Sequence, residues 1–281
     1  MLTANPVLRE GRAKKWVLRF RKENAMKKVL ISTLVFAIAL SLSHLAGAQA
    51  APGSLDEQLI RAARDGNVAA VQQLLAKGAK IEAKDSDGDT ALMAAASAGK
   101  TGVVKLLLDK GANIEAKSGQ GDTALILAVF FHKIDAVKML LDKGANIEAK
   151  GSLGETALIC TARNGHVDLV TLLLERGANI EARNNNGETA LISAAGSYSE
   201  NTIGVGKLLV EKGANVNAAD STGHTALIWA AGQGKTELVK ALLDKGANID
   251  TEDANGHTAL WRAVKGSRTD VVNLLEAKGA H

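Results

Sequence analysis

Few residues in this chain have the type and spacing to do chemistry: two Gly-Lys-Thr strings, one aspartate cluster, four spaced histidines and one cysteine. Ala98-Gly99-Lys100-Thr101 and Gly232-Gln233-Gly234-Lys235-Thr236 resemble the end of a phosphate-binding loop, in which backbone N–H groups and a lysine cradle phosphates. That motif also needs an earlier glycine, and its place is held by Ala94 in one string and Trp229 in the other. Both strings read as turns between helices. Asp85, Asp87 and Asp89 offer alternate carboxylates to calcium, but Thr90 stands where the calcium loop needs its turn glycine, so a solvated loop tip is expected. His132, His166, His224 and His257 are each at least a repeat apart, without the close spacing of metal ligands, and read as surface histidines. Cys160 follows Leu158 and Ile159 in an apolar helix and is expected to be a buried, inert thiol. No acid pair, nucleophile with base, or ligand cluster converges, so neither catalysis, nor a cofactor, nor a metal is expected.

The elements that carry these residues recur. Gly-x-Thr-Ala-Leu begins at Gly88, Gly121, Gly154, Gly187, Gly223 and Gly256, at spacings of 33, 33, 33, 36 and 33. Gly-Ala, following a leucine-rich run, begins at Gly78, Gly111, Gly144, Gly177, Gly213, Gly246 and Gly279 with the same intervals. About seven units therefore divide the chain near 54–84, 85–117, 118–150, 151–183, 184–219, 220–252 and 253–281.

Residues 85–117 serve as the type. Gly88 permits a tight turn, and Thr90 is placed to cap a short helix from Ala91 to about Ala98. Gly99 breaks the chain. A second helix is expected from about Thr101 to Lys110, with Val104, Leu107 and Leu108 on one face. Elsewhere Asp135, Asp168, Glu237 or Asp270 stands in the first turn of that helix, and Lys110, Lys143, Arg176 or Lys245 ends it, both complementing the helix dipole. A glycine such as Gly111 then supplies a left-handed cap, and an extended excursion leads to the next unit. So small a helix pair cannot bury its own apolar face, and the units must stack into a solenoid. Glu57, Gln58, Arg61 and Arg64 at one end, and Glu276 at the other, give polar outer faces.

A 33-residue unit of turn, two helices and Gly-Ala closure resembles the ankyrin repeat, and the resemblance covers residues 51–281. The family's Thr-Pro-Leu-His appears here as Thr-Ala-Leu followed by Met93, Ile126, Ile159, Ile192, Ile228 or Trp261, so proline and histidine are both missing. Apolar replacements can still fill that layer. The resemblance implies an all-α repeat solenoid with β-hairpin or turn fingers. It also implies that another protein is recognised on the concave face formed by finger tips and first helices.

Residues that break the repeat on that face are the binding candidates. Phe130 and Phe131 end the first helix of the third unit, and adjacent rings there cannot both point into a core. The fifth unit carries a three-residue insertion within Ser197 to Thr202 that puts Tyr198 on a longer loop. Gly196, Gly204 and Gly206 weaken its helices, so this unit is expected to be the least stable and a hinge. Arg163, Asn164, Lys84, Lys117, Lys150 and Arg183 line the same edge. Trp229 and Trp261, beside the leucine slots, are expected to pack in the core.

The first fifty residues differ in kind. Met26-Lys27-Lys28 is followed by an apolar run from Val29 to Leu42 and by Ala48-Gln49-Ala50, which reads as a secretory signal peptide at 26–50, cleaved after Ala48 or Ala50. Lys22-Glu23 can be encoded as a bacterial ribosome-binding sequence just ahead of Met26. Residues 1–25 are accordingly expected to be a mis-assigned upstream leader. The chain carries +4 overall, but nine bases and two acids fall in residues 1–50, leaving the rest near −3. That balance argues against nucleic acid and, after signal cleavage, against a membrane as partner. The expectation is an exported monomer, periplasmic and non-catalytic, that binds a partner protein; the alternative is a secreted effector acting outside the producing cell.

Overall fold

The computed structural model describes residues 53–280; the expected leader and signal peptide lie outside the described residues. Fourteen helices follow in pairs. The first helices of the units are α1 (Leu55–Asp65), α3 (Ala91–Ser97), α5 (Ala124–Phe130), α7 (Ala157–Asn164), α9 (Ala190–Gly196), α11 (Ala226–Gln233) and α13 (Ala259–Lys265). The second helices are α2 (Val68–Ala76), α4 (Thr101–Asp109), α6 (Ile134–Asp142), α8 (Val167–Glu175), α10 (Thr202–Glu211), α12 (Thr236–Asp244) and α14 (Thr269–Ala277).

Threonine starts the first helices as the sequence suggests. The hydroxyls of Thr90, Thr123, Thr156, Thr189, Thr225 and Thr258 accept from the backbone N–H three residues on, at 3.2–3.4 Å; Ser54 does the same for α1. Each first helix packs on the first helix of the next unit. Small side chains make that approach possible: Ala91, Ala95 and Ala96 are fully buried in α3, as are Ala190, Ala194 and Ala195 in α9. The second helices bury one face each, Val103, Val104 and Leu107 in α4 being the pattern, with Leu108 only half-buried. Gly111 and its six equivalents all take positive φ, the conformation that closes each helix pair.

The fingers between units are turns rather than hairpins. Among the described residues their pairing is limited to isolated antiparallel bridges, Lys84 with Thr90 and Ala219 with Thr225. Each finger closes on itself, as Ser118 N–H on the Asp122 carbonyl, and side chains of the neighbouring unit satisfy more of its backbone. Glu82, Glu115, Glu148 and Glu181 accept from the backbone N–H of Asn113, Asn146, Asn179 and Asn215 one unit on, at 2.7–2.8 Å. The Asn-Ile-Glu of successive units is thus a staple whose two halves lie a repeat apart.

At the ends the expectation of polar caps holds for Glu57, Arg61 and Glu276, which are exposed. It fails on α13, where Trp261 is 38% and Val264 56% exposed. Trp261 was expected in the core, but its slot is covered in other units by the following first helix, and no such helix follows among the described residues. Trp229, one unit earlier, is half-buried against the core as expected.

Candidate functional site

The nine binding candidates stand at the finger bases, at the ends of first helices and on the inserted loop, and the structure separates those engaged in holding the array from the one aromatic left exposed. Lys84, Lys117, Lys150 and Arg183 are exposed along the finger bases, but their cationic groups are not idle. Lys84 Nζ donates to the Lys117 carbonyl at 2.7 Å, Lys117 to that of Lys150 at 2.5 Å, Lys150 to that of Arg183 at 3.0 Å, and Arg183 to that of Ala219 at 2.6 Å. Each cation therefore caps its successor. Arg163 forms a two-pronged ion pair with Glu155 at 2.6 Å, and Asn164 reaches the Cys160 sulfur at 3.8 Å.

The aromatics divide similarly. Phe130 packs against the core, and Phe131 crosses it edge to face with centroids 5.2 Å apart. Both are half-buried. Tyr198, on the inserted loop, is 68% exposed.

One acid slot runs along the base of the fingers: Asp89, Asp122, Glu155 and Glu188 stand at equivalent positions. Burial, reinforced by Asp85 and Asp87, raises Asp89 to about 6; burial also raises Asp122 and, against the pull of Arg163, Glu155. In the last two units the slot passes to His224 and His257. His224 corrects the reading of surface histidines. It is buried, with Nε2 3.1 Å from Asp253 and Nδ1 2.6 Å from the Thr222 hydroxyl, against Trp229 and the Arg262 guanidinium. Burial alone would raise the carboxyls it meets, but hydrogen bonds from His224 and Thr222 hold Asp220 well below the usual range, and Arg262 brings Asp253 down to about 2. The signal was in the sequence only as a pair: the imidazole comes from one unit and its acid from the next.

His132 and His166 are also brought together, their rings stacked at 4.1 Å with His132 Nε2 2.9 Å from Asp168. His257 stacks on Trp261 at 3.5 Å. Lys235, in one of the Gly-Lys-Thr strings, stands in the turn between α11 and α12 as expected and is buried there. Asp85 directs one carboxylate oxygen to its own turn, accepting from Asp87 and Asp89, and the other to Arg64 at 3.2 Å. Burial pushes the Cys160 thiol up to about 12, which keeps it protonated and a poor nucleophile. Among the described residues no group of three or more His, Cys, Asp or Glu is arranged to hold a metal ion, and no helix is long and apolar enough to cross a membrane.

The family model for ankyrin repeats, in three copies, matches residues 59–151, 149–220 and 198–281. No curated protein matches the chain. Among solved structures, the ankyrin repeat domain of Bcl-3, described as a unique member of the IkappaB protein family, is similar with 32% identity and a TM-score of 0.68 over 78% of this chain and 97% of that one. The human ASB11 ankyrin repeat domain is similar with 27% identity and a TM-score of 0.68 over 77% and 96%. Ankyrin repeat domains generally mediate protein–protein interaction and are typically non-catalytic binding scaffolds. With the family model spanning nearly all of the described residues, the chain belongs to the ankyrin repeat family.

Proposed function

We propose that this protein is an exported, non-catalytic scaffold that works in the periplasm as a monomer and recognises a partner protein through the concave face of its repeats. The observation that carries the reading is Tyr198, 68% exposed on an insertion that interrupts an otherwise regular array. Packing does not require this ring, and exposed aromatics on preformed surfaces are the usual anchors of protein interfaces. Phe131, half-buried at the end of the third unit's first helix, is the second aromatic of the proposed contact. The cations at the finger bases act here mainly as internal ties, so the contact is expected to rest on the aromatics. Export rests on the Met26–Ala50 sequence pattern.

A pull-down from periplasmic extract with residues 51–281, beside a Phe131→Ala, Tyr198→Ala variant, tests the reading. The expected result is a protein retained by the first and lost by the second. Equal retention by both would contradict the assignment of the face, and recovery of the chain from the cytoplasm alone would contradict export.

A further inference from the structure

The insertion of the fifth unit is closed by a side chain from the sixth. Lys235 is 2% exposed, and its Nζ donates to the Ala194 carbonyl at 2.9 Å, the Ser197 carbonyl at 2.6 Å and the Thr202 hydroxyl at 2.6 Å. An ammonium has three N–H groups and no acceptor, so every donor is used. The acceptors lie in α9, at the entry to the loop and at the start of α10, which ties both ends of the insertion to one nitrogen. Equivalent positions in other units, Lys100, Lys133 and Arg268, precede the second helix in the same way. There the preceding unit has an ordinary turn, and Lys100 and Arg268 stay exposed.

Further contacts grip the same loop. Gln233 Nε2 donates to the Gly196 carbonyl at 3.0 Å, and the Trp229 ring lies where a Cβ on Gly196 would be 3.4 Å away. From the other side Gly165 approaches so closely that a Cβ there would stand 2.8 Å from the Asn201 Cβ. Held from both neighbouring units, the loop still leaves Tyr198 outward.

We propose that Lys235 is a positioning residue that makes the inserted loop a preformed contact element, fixing Tyr198 in place before a partner arrives. A contact loop fixed in advance avoids most of the ordering cost of association. Burial lowers the Lys235 ammonium to about 8, with Glu200 acting in the opposite sense, so the site keeps a desolvated cation that a simple turn would leave in water. That the loop meets a partner rests on the proposed binding face; that Lys235 pins it does not.

Amide hydrogen exchange at Thr202 and Ile203, whose N–H groups close the loop onto Ser199 and Glu200, reads the pinning directly. The expected result is protection in the wild type comparable to the neighbouring helices and exchange faster by about tenfold or more in Lys235→Met. Thr202→Val, which removes one acceptor of Lys235 and the Thr202 hydroxyl's own bond to the Ser199 carbonyl, should fall between them at Ile203, and Lys133→Met, the same slot without an insertion, should change nothing in the loop. Unprotected amides in the wild type, or unchanged protection in Lys235→Met, would overturn the proposal. If Lys235→Met does not fold, Thr202→Val decides: unchanged protection at Ile203 overturns it. Tyr198→Ala, which should leave exchange as it is, tests the binding reading alone.

Discussion

Asp89 illustrates how a single side chain records the cost of its place. Its carboxyl is raised to about 6, first by burial and then by Asp85 and Asp87. A raised acid binds its proton more tightly in the folded chain than in the unfolded one, so its contribution to stability is full below the ordinary carboxylate pKa and is lost as pH rises through 6. Asp89→Asn is therefore expected to stabilise the array at pH 7 by about 1 kcal/mol after allowance for solvent screening, with the gain vanishing near pH 4. Urea unfolding at the two pH values checks this. His166 gives the opposite sign. Burial, then the stacked His132, lower its pKa, so its share of stability is present above the ordinary imidazole value and lost as pH falls through the lowered one. His166→Gln should accordingly narrow the difference between thermal melts at pH 7.5 and pH 5.5. The sequence showed Asp85 and Asp87 beside Asp89 but not the burial that raises it most, and it did not show His132 against His166. Burial is set by packing between units, and His132 and His166 lie in different units.

Among the helices, the caps were legible and the close approaches were not. Thr123 precedes α5 in a recurrent motif, and its hydroxyl does what the motif suggests. Thr123→Val should cost about 1 kcal/mol in urea unfolding. On propensity alone the glycines of α10 weaken it. The structure divides them. A Cβ on Gly204 would sit 3.6 Å from Val167, an ordinary contact, whereas one on Gly206 would sit 2.8 Å from both methyls of Leu238, which is fully buried. Gly204→Ala should then stabilise by up to about 1 kcal/mol, as helix propensity dictates. Gly206→Ala should destabilise by about 1–3 kcal/mol, because overpacking a core outweighs that gain. Equal stabilisation by both would show that Leu238 yields and that propensity alone governs the helix. The hinge expected of the fifth unit meets the same objection: Lys235, Gln233 and Trp229 reach back to hold it.

At the scale of the whole array, the period alone revealed the fold. Seven units with the same markers must stack, since none has a core of its own. The ties between units were hidden because each joins residues about a repeat apart, as Glu82 joins Asn113 and Lys84 joins Lys117. They also explain why several cations proposed as contacts are better understood as structure. Of the three aromatic candidates, Tyr198 is the one left exposed. Photo-crosslinking in living cells reads the binding face directly, with a benzophenone amino acid placed in turn at positions 131, 198 and 240, the last on the exposed side of α12. The expected result is one common protein crosslinked from 131 and 198 and nothing from 240; crosslinks from 240 with none from 198 would overturn the proposed face.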